Sequence, residues 1–234
     1  MMTKQHLIYQ VSIMIIIGTL LFGCSKFIPT PLPEQMDKSP FTGIPCAAPC
    51  WRGLVIGKSS ESEVRSTIPN LTFIDQKSVY YHRMPSMSTF ENPSVFGEGL
   101  EITANCINSR ELCLTIQVVG NILTDISIEL NYQINVDAAI KYLDKPDYIG
   151  YDRESGEQIT CQVYLIWSEK ELALKSKIFE GPNAAEKNCF VINDSGKISS
   201  SLLVSEVEFM SPAAIKTLQP EATNAFFKFT GTSP

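Results

Sequence analysis

Seven cysteines, a histidine in a strand-like run and three close carboxylate pairs are the residues here whose types and spacing carry reactive chemistry. Six of the cysteines lie at positions 46, 50, 106, 113, 161 and 189. An even number in an oxidising compartment reads as a disulfide framework, although sequence alone leaves the pairing open. Local spacing favours Cys46–Cys50 and Cys106–Cys113, which leaves Cys161–Cys189. The competing chemistry is a four-thiolate zinc site. Cys46-x3-Cys50 and Cys106-x6-Cys113 fit the short ligand spacing of structural zinc poorly, so no metal and no cofactor is expected. Any histidine-based triad in the body of the chain must use His82, in Tyr80-Tyr81-His82-Arg83. Without a positioned nucleophile it reads as a surface strand histidine. Glu61 with Glu63, Glu169 with Glu171, and Glu206 with Glu208 serve acid–base catalysis only if folding brings them into a cleft. No Gly-x-Ser-x-Gly elbow occurs, and no Lys-Ser follows Gly97-Glu98-Gly99 at phosphate-loop spacing. The chain is not expected to be an enzyme.

The seventh cysteine has a different setting. Leu21-Phe22-Gly23-Cys24 closes an uncharged stretch, Leu7 to Gly23, behind the weakly basic Lys4 and His6. This pattern predicts a lipoprotein signal peptide over 1–23, cut after the small Gly23, with Cys24 lipidated as the new N-terminus. Phe22 is bulkier than the residue usual before that glycine. The alternatives are an uncleaved anchor, for which 17 residues is at the short limit, or an ordinary secretory signal. All of these place the rest of the chain outside the cytoplasm. Each buried methylene of a palmitate-type chain contributes about 0.8 kcal/mol, and one chain alone holds marginally. The two or three chains of a lipidated cysteine predict lasting attachment to the extracytoplasmic face of a cell membrane.

The formal net charge is −6, and loss of residues 1–23 removes only Lys4, giving −7. An acidic chain with scattered Lys and Arg does not suit nucleic acid, nor a polybasic grip on anionic lipid. Hydrophobic residues make up 44%, enough for a globular core.

Elements must position these residues, and their signals come in a repeated order. Pro29, Pro31, Pro33, Pro40 and Pro45 deny helix or central strand, so 24–45 reads as a solvated tether. Ser60-Glu61-Ser62-Glu63 is a capping box opening a helix through Val64 and Ile68, stopped at Pro69-Asn70. Strand-like runs follow at 71–74, 78–83, 100–105, 112–119 and 122–130, the last two joined by a two-residue Gly120-Asn121 turn. Asn135 caps a second helix, ended by Asp144-Lys145-Pro146-Asp147. Runs at 148–151, 158–167, 172–179, 189–192 and 202–209 follow, then a short helix at Ser211-Pro212. The fold class this predicts is α+β, two tandem modules of a short helix followed by an antiparallel sheet, over 46–132 and 133–234. Phe226, Phe227 and Phe229 are expected to return to the body and pack.

Pro45-Cys46-Ala47-Ala48-Pro49-Cys50-Trp51-Arg52-Gly53-Leu54, followed by Gly57-Lys58-Ser59, resembles a segment of uncharacterised bacterial lipoproteins that carry Pro-Cys-Trp-x-Gly-Ile and then Pro-Gly-x-Thr before a first helix. Here Ile56-Gly57 replaces Pro-Gly, and Ser59 stands where Thr is usual. The element order is distantly similar to the small lipoprotein of the outer-membrane barrel assembly machine, and to the beta-lactamase inhibitory protein, a tandem of such modules. Neither resemblance brings functional residues with it, and fold analogy does not license function. The leading expectation is a membrane-anchored binding or assembly module with a protein or other envelope macromolecule as partner. Alternatives are a cell-envelope hydrolase and a protein inhibitor or immunity-type factor. Aromatics that strand alternation places on a sheet surface are the expected contacts: Trp167, Tyr164 and Tyr80. Trp51, next to Cys50, is expected to pack instead.

Overall fold

Short helices and long strands alternate along this chain, and the helix starts are fixed by side chains. The structure is a computed structural model that describes residues 37–88, 96–155, 159–176, 179–180, 197–200, 202–212, 214–215 and 225–233. Among the described residues the α-helices of a turn or more are α1 (Ser39–Thr42), α2 (Glu61–Thr67) and α3 (Val136–Leu143). At α2 the predicted capping box is complete. The Ser60 hydroxyl accepts from the Glu63 backbone N–H, and Glu63 Oε2 accepts from the Ser60 N–H at 2.7 Å. That bonding holds the exposed Glu63 carboxyl below its ordinary range. At α3 the Asn135 side chain accepts from the Ala138 N–H at 2.8 Å. Each helix buries a narrow face: Val64 from α2, and Val136, Ala139 and Leu143 from α3.

The strands are β1 (Cys50–Trp51), β2 (Leu54–Val55), β3 (Tyr80–Ser88), β4 (Phe96–Asn105), β5 (Leu112–Val119), β6 (Ile122–Asn135), β7 (Tyr148–Ser155), β8 (Ile159–Trp167), β9 (Leu172–Ser176), β10 (Phe179–Glu180), β11 (Lys197–Ser199), β12 (Leu203–Met210), β13 (Ala225–Lys228) and β14 (Gly231–Ser233). The large sheet runs in the order β13-β7-β8-β9-β12-β6-β5-β4-β3, with β10 beside β8. Its neighbours are antiparallel, so the class is a sheet-rich α+β fold. The predicted Gly120-Asn121 turn joins β5 to β6, with both residues at positive φ and Val119 paired to Ile122. Residue 132 lies inside β6, a strand paired on one side with β5 and on the other with β12.

Alternation splits the sheet into two faces. Leu114, Ile116 and Val118 of β5, Ile126 and Ile128 of β6, Val207 and Phe209 of β12, and Leu165 of β8 turn toward the helices and form the main core. Phe229, just after β13, is buried there, as its position predicts; the side chains of Phe226 and Phe227 lie outside the described residues.

Three expectations need correction. The tether does not extend to residue 45. Asp37, Ser39 and Phe41 are buried, and α1 packs near α3 with Phe41 against Tyr142 at 6.1 Å. Proline at the start of α1 is compatible with a first helical turn, which is why the Pro-rich reading failed here. Residues 71–74 are not a strand. Phe73 and Ile74 are buried, but only Ile74 makes a bridge, an isolated one to Cys106, so no strand ladder forms there. Trp167 is not a surface aromatic. It is 2% exposed, turned to the helix side, and its indole N–H donates to the Asp144 carbonyl at 3.1 Å.

Cys46–Cys50 and Cys106–Cys113 are disulfides, as their spacing predicts. The segment between Cys46 and Gly53 folds as a clasp. Arg52 and Gly53 both have positive φ in the two-residue turn between β1 and β2, and the Gly53 N–H donates to Cys46 Sγ at 3.3 Å. The buried Asp37 carboxylate accepts from the Trp51 indole at 2.6 Å, the Arg52 guanidinium at 2.8 Å and the Ser39 backbone at 3.0 Å. The Pro-Cys-Trp-x-Gly segment therefore holds Asp37 against the body.

Candidate functional site

The face of the sheet away from α2 and α3 carries the polar members of each strand. Cross-strand register sets them in rows. One row runs Tyr164 on β8, Lys175 on β9, Glu206 on β12 and Glu129 on β6. The next runs Ile166, Ala173, Glu208, Ser127, Thr115 and Thr103 to Tyr80 on β3. A third runs Met210, Asp125, Gln117 and Glu101 to His82. Most of the polar side chains on these rows are half-buried, and Tyr80 is 61% exposed. Ala214 and Ile215 pack with Ile166, Ala173 and Met210 over one corner. The Ser211 hydroxyl starts that helical turn by accepting from the Ala214 N–H, as predicted.

The electrostatic centre of this face is where β9, β12 and β6 run side by side. Lys175 Nζ lies 2.7 Å from Glu206 and 2.8 Å from Glu208, and the Ser127 hydroxyl donates to Glu206 at 2.7 Å. The three ionic side chains are only 12–16% exposed, so their attraction is not fully screened. Burial works against the Lys175 charge, but Glu208 and Glu206 outweigh it and hold the ammonium above its ordinary range. Burial, then the charge of nearby Glu208, push Asp125 well above the usual carboxyl range. Burial, then the facing Glu206, raise Glu129 to about 7.

Neither a known family, nor a curated protein sequence, nor a solved structure matches this chain.

The sequence-selected residues separate. Tyr80 and Tyr164 lie on this open face, six strand steps apart, or about 29 Å at sheet spacing. Tyr80 stacks on His82 with ring centres 6.1 Å apart, and the Tyr164 hydroxyl donates to Gln162 at 2.9 Å. Tyr81 turns to the other side, under the Arg65 guanidinium at 4.5 Å, so the adjacent tyrosines do not share a face. Glu61 pairs with Arg65 and Arg83, and Glu63 caps α2. Of the three carboxylate pairs, folding brings only Glu206 and Glu208 into a cluster. Lys175, Asp125, Ser127 and Glu129 are the members that sequence reasoning missed; their one local signal is a polar residue at alternate positions of an apolar strand. Among the described residues no set of His, Cys, Asp and Glu is arranged to hold a metal ion, and no helix is long and apolar enough to cross a membrane. Cys24 and Cys189, and with them the lipidation and the Cys161–Cys189 pairing, lie outside the described residues.

Proposed function

We propose that this protein is a membrane-anchored extracytoplasmic lipoprotein that works as a binding or assembly module for a protein partner. The observation that carries the binding reading is the sheet face of polar side chains from Tyr80 to Tyr164, exposed at Tyr80 and less so toward its middle, while α2 and α3 pack on the opposite side. The chain is read as two tandem halves, each a helix followed by antiparallel strands, meeting edge to edge at β6 and β12. That arrangement offers one broad surface rather than a cleft. An inhibitor or immunity-type role is a special case of the same reading. The anchor rests on the Leu21-Phe22-Gly23-Cys24 run.

Two measurements test it. Intact-mass analysis of the membrane fraction is expected to show loss of residues 1–23 and an added diacylglycerol mass; an unmodified Met1 N-terminus sinks the anchor. A photo-crosslinker at Thr103, beside Tyr80, is expected to capture one partner in intact cells. Tyr80→Ala is expected to weaken that capture about tenfold or more while leaving the unfolding midpoint nearly unchanged. Equal capture by Tyr80→Ala and the parent refutes the surface. A carboxylate hydrolase is the second reading, favoured by the buried Asp125, held above the usual carboxyl range by burial and by nearby Glu208. Turnover of an envelope substrate that disappears in Asp125→Asn selects it.

A further inference from the structure

The seam where β6 meets β12 holds more acids than cations. Glu129 is the direct cross-strand partner of Glu206, a like-charge pairing that destabilises a sheet when both are ionised. Glu208 faces Ser127, and Asp125 faces Met210, one step along the same side. From β9 comes Lys175, the only cation ion-paired to these carboxylates among the described residues, and its contacts go to Glu206 and Glu208. From β8, Tyr164 faces Lys175. β5 contributes the neutral Thr115 and Gln117, with Glu111 ahead of it acting on Glu129, and β4 contributes Glu101 beyond Gln117. One ammonium therefore serves four carboxyls, Asp125, Glu129, Glu206 and Glu208.

We propose that the β6–β12 seam is a pH-sensitive junction, tight in acid and loosened as the pH rises. Protons supply what the missing cations do not. A proton on Glu129 removes its repulsion with Glu206, and a proton on Asp125 removes its repulsion with Glu208. The raised values of Glu129 and Asp125 agree with this geometry: the folded seam keeps protons that the unfolded chain, with ordinary carboxyls, has released. For Glu129 the loss of stability accumulates between about 4.5, its ordinary value, and about 7, and levels off above that. Asp125 adds a loss of the same sign. Lys175 stays charged throughout. The junction does not depend on which partner, if any, uses the face.

The test is denaturant unfolding of the full chain in detergent at a series of pH values, beside Glu129→Gln. One extra proton in the folded state raises the unfolding constant by up to about tenfold per pH unit between pH 5 and 7. Glu129→Gln is expected to remove up to that much of the slope and to be relatively most stable at the high end. Identical slopes in the two proteins overturn the proposal. Amide hydrogen exchange on the unaltered chain gives a second readout that needs no variant. After correction for intrinsic rates, protection of residues 126–129 and 206–209 is expected to fall selectively from pH 5.5 to 8, while residues 101–104 of β4 keep theirs. Uniform or unchanged protection also overturns it.

Discussion

Lys175→Met is expected to destabilise the protein by about 3 kcal/mol at neutral pH, because it strands buried carboxylates without their cation. Methionine keeps most of the aliphatic stem, so packing against the neighbouring strands is largely retained. What goes is the ammonium at 2.7 Å from Glu206 and 2.8 Å from Glu208. At an effective dielectric constant near 20, each such contact is worth about 4–6 kcal/mol of attraction before desolvation is counted. Removing one partner leaves the desolvation cost uncompensated. Without the ammonium, which lowers both Asp125 and Glu129, those two raised carboxyls hold their protons more strongly. The sign then follows: a raised carboxyl loses stability as the pH climbs above its unfolded value, and the deficit of Lys175→Met is larger at pH 8 than at pH 5. Urea unfolding at the two pH values measures this. The triple change Lys175→Met, Glu206→Gln and Glu208→Gln is expected to recover most of the loss, because neutral amides do not repel. If the triple variant is as weak as the single one, the loss comes from packing and the charge argument fails.

Of that cluster only the Glu206–Glu208 pair was legible in the chain, whereas much of what surrounds it was legible too. Ser60 with Glu63, Asn135 and Gly120-Asn121 act within four residues of themselves, so their side-chain types specify the geometry without reference to the rest of the fold. The alternation in 112–119 and 122–130 was equally legible, since it reports one buried face. The disulfides Cys46–Cys50 and Cys106–Cys113 close short loops and followed from spacing. The pairing of Glu129 with Glu206 has no local signature. It depends on which strand edges meet, and nothing in either strand names the other. Strand propensity alone also could not decide Trp167. Alternation places Tyr164 and Trp167 on opposite faces, but the side with helices on it is a tertiary fact.

The N-terminal boundary was misjudged for a related reason, and it carries the other large effect. Asp37 lies in a Pro-rich stretch that reads as solvated tether, yet its carboxylate is buried among three donors supplied by Ser39, Trp51 and Arg52. Asp37→Ala is expected to cost about 3 kcal/mol, or roughly 6–12 °C in unfolding midpoint for a body of this size. The alanine leaves the Trp51 indole N–H without an acceptor in the core and removes the counter-charge of Arg52, whose side chain is 27% exposed and so recovers part of its solvation. It also removes the contact that offsets the positive φ of Arg52, a conformation disfavoured for a residue with a Cβ. Asp37→Asn is expected to cost less, about 1–2 kcal/mol, because an amide oxygen still accepts from the indole while the ion pair is lost. The two tryptophans separate the outcome cleanly. In Trp167→Phe background, where Trp51 is the remaining indole, Asp37→Ala should shift the emission to the red as the clasp opens and water reaches Trp51, before global unfolding. If emission and midpoint both stay at the parent values, the carboxylate is not what holds residues 37–45 on the body, and the burial of Phe41 beside Tyr142 must be sufficient by itself.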